Sequence, residues 1–205
     1  MPGSAREDPV QIRLRSLFDW FPALRGILVA DDAQEFDNLL EQYIEQCVQG
    51  MEAEAHHLNP DSEEKLSAFL AASLRHPGLD VRREGYTNGR VDLTIRQEGV
   101  IAGQVRLAEA KIYDGPAYHS AALEQLVNRY STGRPPTGYV IEYFKKAGIA
   151  KFVQGLRDHA DSQKPVQQEG DTAAHSMKWA YQSQHRHSSA DLLRVVHVNV
   201  NLHRP

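Results

Sequence analysis

Between Arg90 and Ile112 the sequence writes two strands and a turn, and the charges on those strands restrict what the chain can become. Alternation puts Val91, Leu93 and Ile95 on one side of the first strand and Asp92, Thr94 and Arg96 on the other. In the second strand Val105, Leu107, Glu109 and Lys111 share a side, opposite Arg106, Ala108, Ala110 and Ile112. Gln97-Glu98-Gly99 and Ala102-Gly103 supply turn residues between them. A hairpin folded about Val100-Ile101 sets Asp92 opposite Glu109, with Cβ atoms about 5 Å apart. Lys111 then lies about 7 Å further along the same face. A turn centred earlier slides Asp92 opposite Val105 instead, so two registers stay open.

Two carboxylates side by side can hold magnesium, which takes oxygen ligands and keeps waters for substrate phosphate. A neighbouring lysine can orient or deprotonate a water activated by such an ion. Asp92 followed by Glu109-Ala110-Lys111 on an adjacent apolar strand resembles the PD-(D/E)XK nuclease superfamily; Val91 stands where the name has proline. The resemblance implies a restriction-endonuclease-like α/β fold, a central mixed sheet flanked by helices with an αβββαβ core. It implies that Asp92 and Glu109 bind Mg2+, with Mn2+ able to substitute, that the Ala110 carbonyl is a further ligand, and that Lys111 positions or activates the water. The superfamily's helix before the sheet often gives a glutamate to the metal; that role falls on Glu63, with Glu64 as the alternative. The helix after the Glu-x-Lys strand often carries a glutamine and a tyrosine, and Glu124-Gln-Leu-Val-Asn-Arg-Tyr130 is similar. Gln125 would bond phosphate or the attacking water, and Arg129 and Tyr130 would contact nucleic acid. The implied activity is phosphodiester hydrolysis, with DNA the favoured substrate, 5′-phosphate products, a homodimeric arrangement and room for a recruiting protein. Two rivals use the same residues: a catalytically silent nucleic-acid- or protein-binding module of the same fold, and a structural protein in which Asp92, Glu109 and Lys111 form an ion-pair network.

The remaining chain supports one domain over 1–205, divided into an N-terminal helical extension (1–58), a nuclease-like core (59–160), and a polar loop with a C-terminal strand (161–205). Apolar residues from Ile12 to Leu24 predict a helix broken at Pro22. Asp31-Asp32 should cap a second helix, with Phe36, Leu39, Leu40, Tyr43, Ile44 and Cys47 facing the core and Gly50 as its stop. His56-His57 point in different directions on a helix and carry no assigned role. Asn59-Pro60 should start the helix that holds Glu63, Leu66, Phe69, Leu70 and Leu74. Strands follow over Leu79–Tyr86 and Thr137–Phe144, with helices over Ala117–Tyr130 and from Ile149 to His159. Residues 160–190 are polar and read as a loop with a short helix near Ala173–Tyr181, including a solvated His185-Arg186-His187. The last strand, Leu193–Leu202, sets Val196, Val198, Val200 and Leu202 on a dry face and His197, Asn199 and Asn201 on the other.

With 205 residues, 41% hydrophobic and 24% charged, the chain has enough apolar content for a sizeable core. A net charge of −4 argues against a wholly basic nucleic-acid-coating protein but leaves room for local basic patches. The lone Cys47 rules out an intrachain disulfide or a thiolate cluster. The absence of a bilayer-length apolar run and of a secretory signal pattern predicts a cytoplasmic protein without a membrane partner.

Overall fold

Helix α1 (Pro22–Val29) crosses α2 (Ala33–Ala53) where Gly26 meets Leu39; a Cβ on that glycine would lie 2.8 Å from Leu39 Cδ1. The structure, a computed structural model, describes residues 8, 12–13, 15–16, 19, 22–76, 78–86, 90–98 and 103–204. Much of the expected first helix and the turns at 87–89 and 99–102 lie outside the described residues. Asp32 caps α2 by accepting from the Glu35 N–H at 2.7 Å. The stripe Phe36, Leu40, Ile44, Cys47, Val48 and Met51 is buried, and the helix runs through Gly50 to Ala53. Burying Met51 is worth about 1.5–3 kcal/mol, more than the roughly 1 kcal/mol that a helical glycine costs. Gly50 is therefore not the stop.

After the short α3 (Ala55–Leu58), α4 (Glu63–Leu74) starts at Glu63 rather than at Pro60. Ser62 is its cap, accepting from the Lys65 N–H at 3.4 Å. Asn59 is used elsewhere: its Nδ2 donates to the Leu202 carbonyl at 2.9 Å and to the Lys145 carbonyl at 3.3 Å. Phe69, expected on the core side, is exposed, while Ser67 and Ala71 are buried in its place.

The strands are β1 (Leu79–Tyr86), β2 (Arg90–Gln97), β3 (Val105–Ile112), β4 (Thr137–Phe144), β5 (Gln168–Ala174), β6 (Tyr181–Arg186) and β7 (Leu192–Asn201). They form one sheet in the order β1-β2-β3-β4-β7-β6-β5. β1, β2 and β3 are antiparallel, β3, β4 and β7 run parallel, and β6 and β5 return antiparallel. The fold is therefore α/β with a central mixed sheet flanked by helices. Its main core joins α2 and α4 to one face through residues such as Ile44, Leu66, Ala108, Ile141 and Val198. The other face packs Leu107, Val140 and Val195 against the β3–β4 crossover, which is α5 (Pro116–Glu124) continued by a π-helical segment, Gln125–Tyr130. α6 (Ile149–Gln163) completes a smaller core with Phe144 and Tyr181. No helix among the described residues is long and apolar enough to cross a membrane.

The expected last strand is present as β7, which lies directly beside β4 in the middle of the sheet. The expectations for the segment before it are overturned. Residues 161–205 are not a polar loop before that strand: α6 runs to Gln163, and β5 and β6 form a hairpin that extends the sheet. No helix spans 173–181. His185 and His187 are buried, not solvated.

Candidate active site

The β2–β3 ladder keeps a constant register from Arg96↔Val105 to Leu93↔Ala108, the register of a turn about Val100-Ile101. There the paired run ends. Val91 joins the core cluster of Leu107 and Val127, whereas Leu93 and Ile95 join the opposite one, so strict alternation breaks between 91 and 93. The expected single face for Val91, Leu93 and Ile95 is thus corrected. Asp92 reaches across the opening and accepts the Ala110 N–H through Oδ2 at 2.9 Å. A side chain has taken the place of a ladder partner, and an acid is lodged at the point where the strands part.

Glu63 arrives from the first residue of α4. Its Oε2 accepts the Ile112 N–H at 3.0 Å, and its Oε1 lies 3.4 Å from Lys111 Nζ. The start of a helix suits a carboxylate, since the backbone N–H groups there carry partial positive charge. Glu64 is exposed, which settles the choice between the two for the inward position. Lys111 Nζ also lies 2.8 Å from Glu109 Oε1 and 3.4 Å from Asp92 Oδ2. Three acids on three elements therefore surround one ammonium that is only 15% exposed.

Glu109 is the unusual member. It is 2% exposed, and its Oε2 has no hydrogen-bond partner among the described residues. Burial raises its pKa to about 7 against the opposing hydrogen bond from Lys111, and the charges of Asp92 and Glu63 push the same way. For Lys111, burial works downward, but its hydrogen bond to Glu109 and the charges of Glu109, Asp92 and Glu63 prevail, leaving its pKa above the usual lysine value. Lys111 is consequently a firm cation, whereas Glu109 is poised to take up or release a proton near neutrality.

The geometry thus brings together Asp92, Glu109, Lys111, Glu63 and the Ala110 backbone. Among the described residues it makes no such junction for Gln125 or Arg129. These lie on the π-helical segment that ends the crossover, where Leu126 and Val127 are buried. Gln125 is half-buried and Arg129 exposed, and no hydrogen bond or ion pair links either to the acids among the described residues. The side chain of Tyr130 lies outside the described residues. The helix expected to be uniform over 117–130 widens into a π turn, a form that is frequent at functional sites.

Sequence reasoning passed over three further polar groupings. Arg106 is fully buried and pairs with Asp37 of α2 at 2.5 Å, while Asp37 also accepts from Thr137 Oγ1 at 2.6 Å. Glu142, the β4 partner of Lys111, is fully buried with His119 Nδ1 3.0 Å away, and His119 Nε2 meets the Tyr181 hydroxyl at 3.0 Å. Tyr113, Tyr118, Lys145 and Lys146 line a cleft beside Glu63. The signal for this cleft was topological: parallel β3 and β4 end together, so the residues that follow them become neighbours. On α3, the His56 and His57 rings lie 3.6 Å apart, and their nitrogens and a Glu54 oxygen fall within 4.8 Å of one another. This corrects the expectation of diverging imidazoles; the group is exposed, and its nitrogen donors suit transition metals better than magnesium. No family model, curated protein or solved structure matches this chain.

Proposed function

We propose that this chain is a magnesium-dependent nuclease that hydrolyses phosphodiester bonds, with DNA the favoured substrate. The observation that carries the reading is the orphaned Oε2 of buried Glu109, set where β2 and β3 part and beside Asp92 and Glu63. A buried carboxylate oxygen without a partner is costly unless a cation or a water meets it. The donors nearby are all hard oxygens, which fits Mg2+ or Mn2+. Asp92 and Glu109 would hold the ion, with Glu63 and the Ala110 carbonyl as further donors. When bound, it would polarise the phosphoryl group and make water more acidic.

The chain's own residues supply the rest. Lys111, held as an ammonium by its three acids, donates to the attacking water or to a non-bridging phosphate oxygen and keeps its proton at Nζ. Glu63 ties α4 to β3 through the Ile112 N–H and so fixes the distance between helix and strand. Arg129, exposed on the π segment, would grip the nucleic-acid backbone, and Gln125 and Tyr130 of the same segment would join it. Incubation of the purified protein with plasmid, single-stranded DNA and RNA tests the reading. Nicking that requires Mg2+ or Mn2+ and leaves 5′-phosphate ends is expected, and it should vanish in Asp92→Asn and Glu109→Gln proteins shown to be folded by circular dichroism. Either variant nicking at the wild-type rate would overturn the site.

A further inference from the structure

Beyond the carboxyl ends of β3 and β4 lies a cleft of about 460 Å³ that shares Glu63 with the acid cluster. Its other walls include Tyr113, Asp114, Tyr118, Lys145 and Lys146. One wall is fixed. The Tyr113 ring stacks on Phe144 with centroids 4.3 Å apart and lies 5.2 Å from Phe152, and its N–H donates to the Tyr143 carbonyl at 3.1 Å. Tyr118, in the first turn of α5, leaves its side chain in solvent at 43% exposure. Lys145 is anchored through Nζ to the Asp61 carbonyl at 2.5 Å, and its own carbonyl accepts from Asn59 Nδ2. Lys146 is exposed.

We propose that this cleft receives a single unpaired nucleotide next to the scissile phosphate, its base stacked on Tyr118 and its phosphate drawn to Lys145 and Lys146. The proposal rests on the nuclease reading for which end of the cleft meets the reacting phosphate. An exposed aromatic ring and two lysines lining one cleft are the two elements by which single strands are held. The cleft lies in the size range of small-ligand sites, roughly 300–1,000 Å³. It therefore has room for one nucleotide. A base inside a duplex can reach it only by leaving the stack, which costs a few kcal/mol; a single strand, an overhang or a frayed end needs no such step. Asp114, exposed and also lining the cleft, would repel a phosphate. It is instead an acceptor for an exocyclic amino group, as acids are for the amine of cytosine. The phosphate belongs on the lysine side and the base edge on the Asp114 side.

The test is anisotropy of the full-length protein in EDTA, where binding proceeds without metal-dependent cleavage. The probes are labelled oligo-dC, its RNA counterpart, and the same DNA strand annealed to its complement. Tyr118→Ala should weaken binding of single strands by about tenfold or more, Tyr118→Phe should restore it, and duplex affinity should not change. Lys146→Ala should lower the salt slope on single strands by about 0.7. The tighter of the DNA and RNA arms identifies the sugar. Single-strand affinity unchanged in Tyr118→Ala, or lost equally on duplex, would overturn the proposal. Cleavage assays on the same proteins separate the two readings. Cleavage that needs Asp92 but ignores Tyr118 sinks the cleft alone, whereas Tyr118-dependent binding without any metal-dependent cleavage sinks the nuclease.

Discussion

Glu109 gives the sharpest prediction, because its cost can be worked out before any substrate is added. Its carboxyl has an ordinary pKa of 4.5 and is raised to about 7, chiefly by burial. Below the unfolded value both states hold the proton and the site contributes nothing. As pH rises, the unfolded chain releases the proton first while the folded chain keeps it to about 7, so stability falls through this window and the loss is complete above it. At 1.36 kcal/mol per pH unit the gap amounts to about 3 kcal/mol. Lys111 stays charged throughout, since its pKa lies above the usual lysine value. Glu109→Gln cannot titrate. Relative to wild type, the metal-free variant should therefore gain about 3 kcal/mol on going from about pH 4 to about pH 8, or roughly 6–12 °C in melting temperature for a chain of this size. Calorimetry in EDTA across that range measures it. Magnesium should stabilise wild type at high pH, where Glu109 is ionised, and leave the variant nearly unmoved. Wild-type and variant melting temperatures that track in parallel across the range would refute the argument, because Glu109 would then titrate alike in both states.

Lys111→Met should bind metal and nucleic acid to within a few-fold yet cleave about 10²–10³-fold more slowly in single-turnover reactions; Lys111→Arg should not rescue it, since a guanidinium spreads its donors over a wider fork. An unchanged rate would make the lysine a bystander. Asp37→Ala removes the carboxylate that pairs with the fully buried Arg106, leaving it only neutral acceptors, and should cost about 3–5 kcal/mol in urea titrations, and a loss below about 1 kcal/mol would show that this pair is not desolvated. Ser183→Ala removes the hydroxyl shared by two buried imidazoles and should cost about 1–3 kcal/mol without altering the acid cluster, so a neutral change would show that water replaces it.

How far the site was legible depends on how local its causes are. Two registers for Asp92 could be written from the sequence, because the causes are close in the chain, and the observed ladder selects the one with its turn about Val100-Ile101. Glu63 was singled out by the resemblance, with Glu64 as the alternative, though the cap was misjudged: Ser62, not Asn59, begins the helix. The opening of the ladder beyond Leu93 was not legible. It arises because Asp92 satisfies the Ala110 N–H with a side chain, and no pattern of residue types announces that exchange. The sign of the Lys111 shift was equally hidden. Burial and charge oppose each other there, and only the distances to Glu109, Asp92 and Glu63 decide between them.

The C-terminal hairpin shows a different limit. Strands are recognised by apolar residues at every second position, yet β6 turns Tyr181, Ser183 and His185 inward and so offers no apolar rhythm. The pattern works because those polar groups complete one another. Burial lowers the pKa of His185, so its imidazole is neutral and carries one proton. The Val166 carbonyl, 3.0 Å from Nδ1, can only accept, so that proton sits on Nδ1 and Nε2 is an acceptor. Ser183 Oγ, 2.7 Å from that Nε2, must then donate to it. Having one hydrogen, it can only accept from His197 Nε2, also 2.7 Å away. The His197 proton is thereby fixed on Nε2, consistent with a pKa that burial holds well below the ordinary value. Each tautomer in the chain follows from the one before it, starting at a backbone carbonyl in the turn before β5. Polar strands can replace an apolar rhythm when every inward donor meets an acceptor. The information that permits this lies in Val166, Ser183, His185 and His197 together, residues that no window on one strand contains.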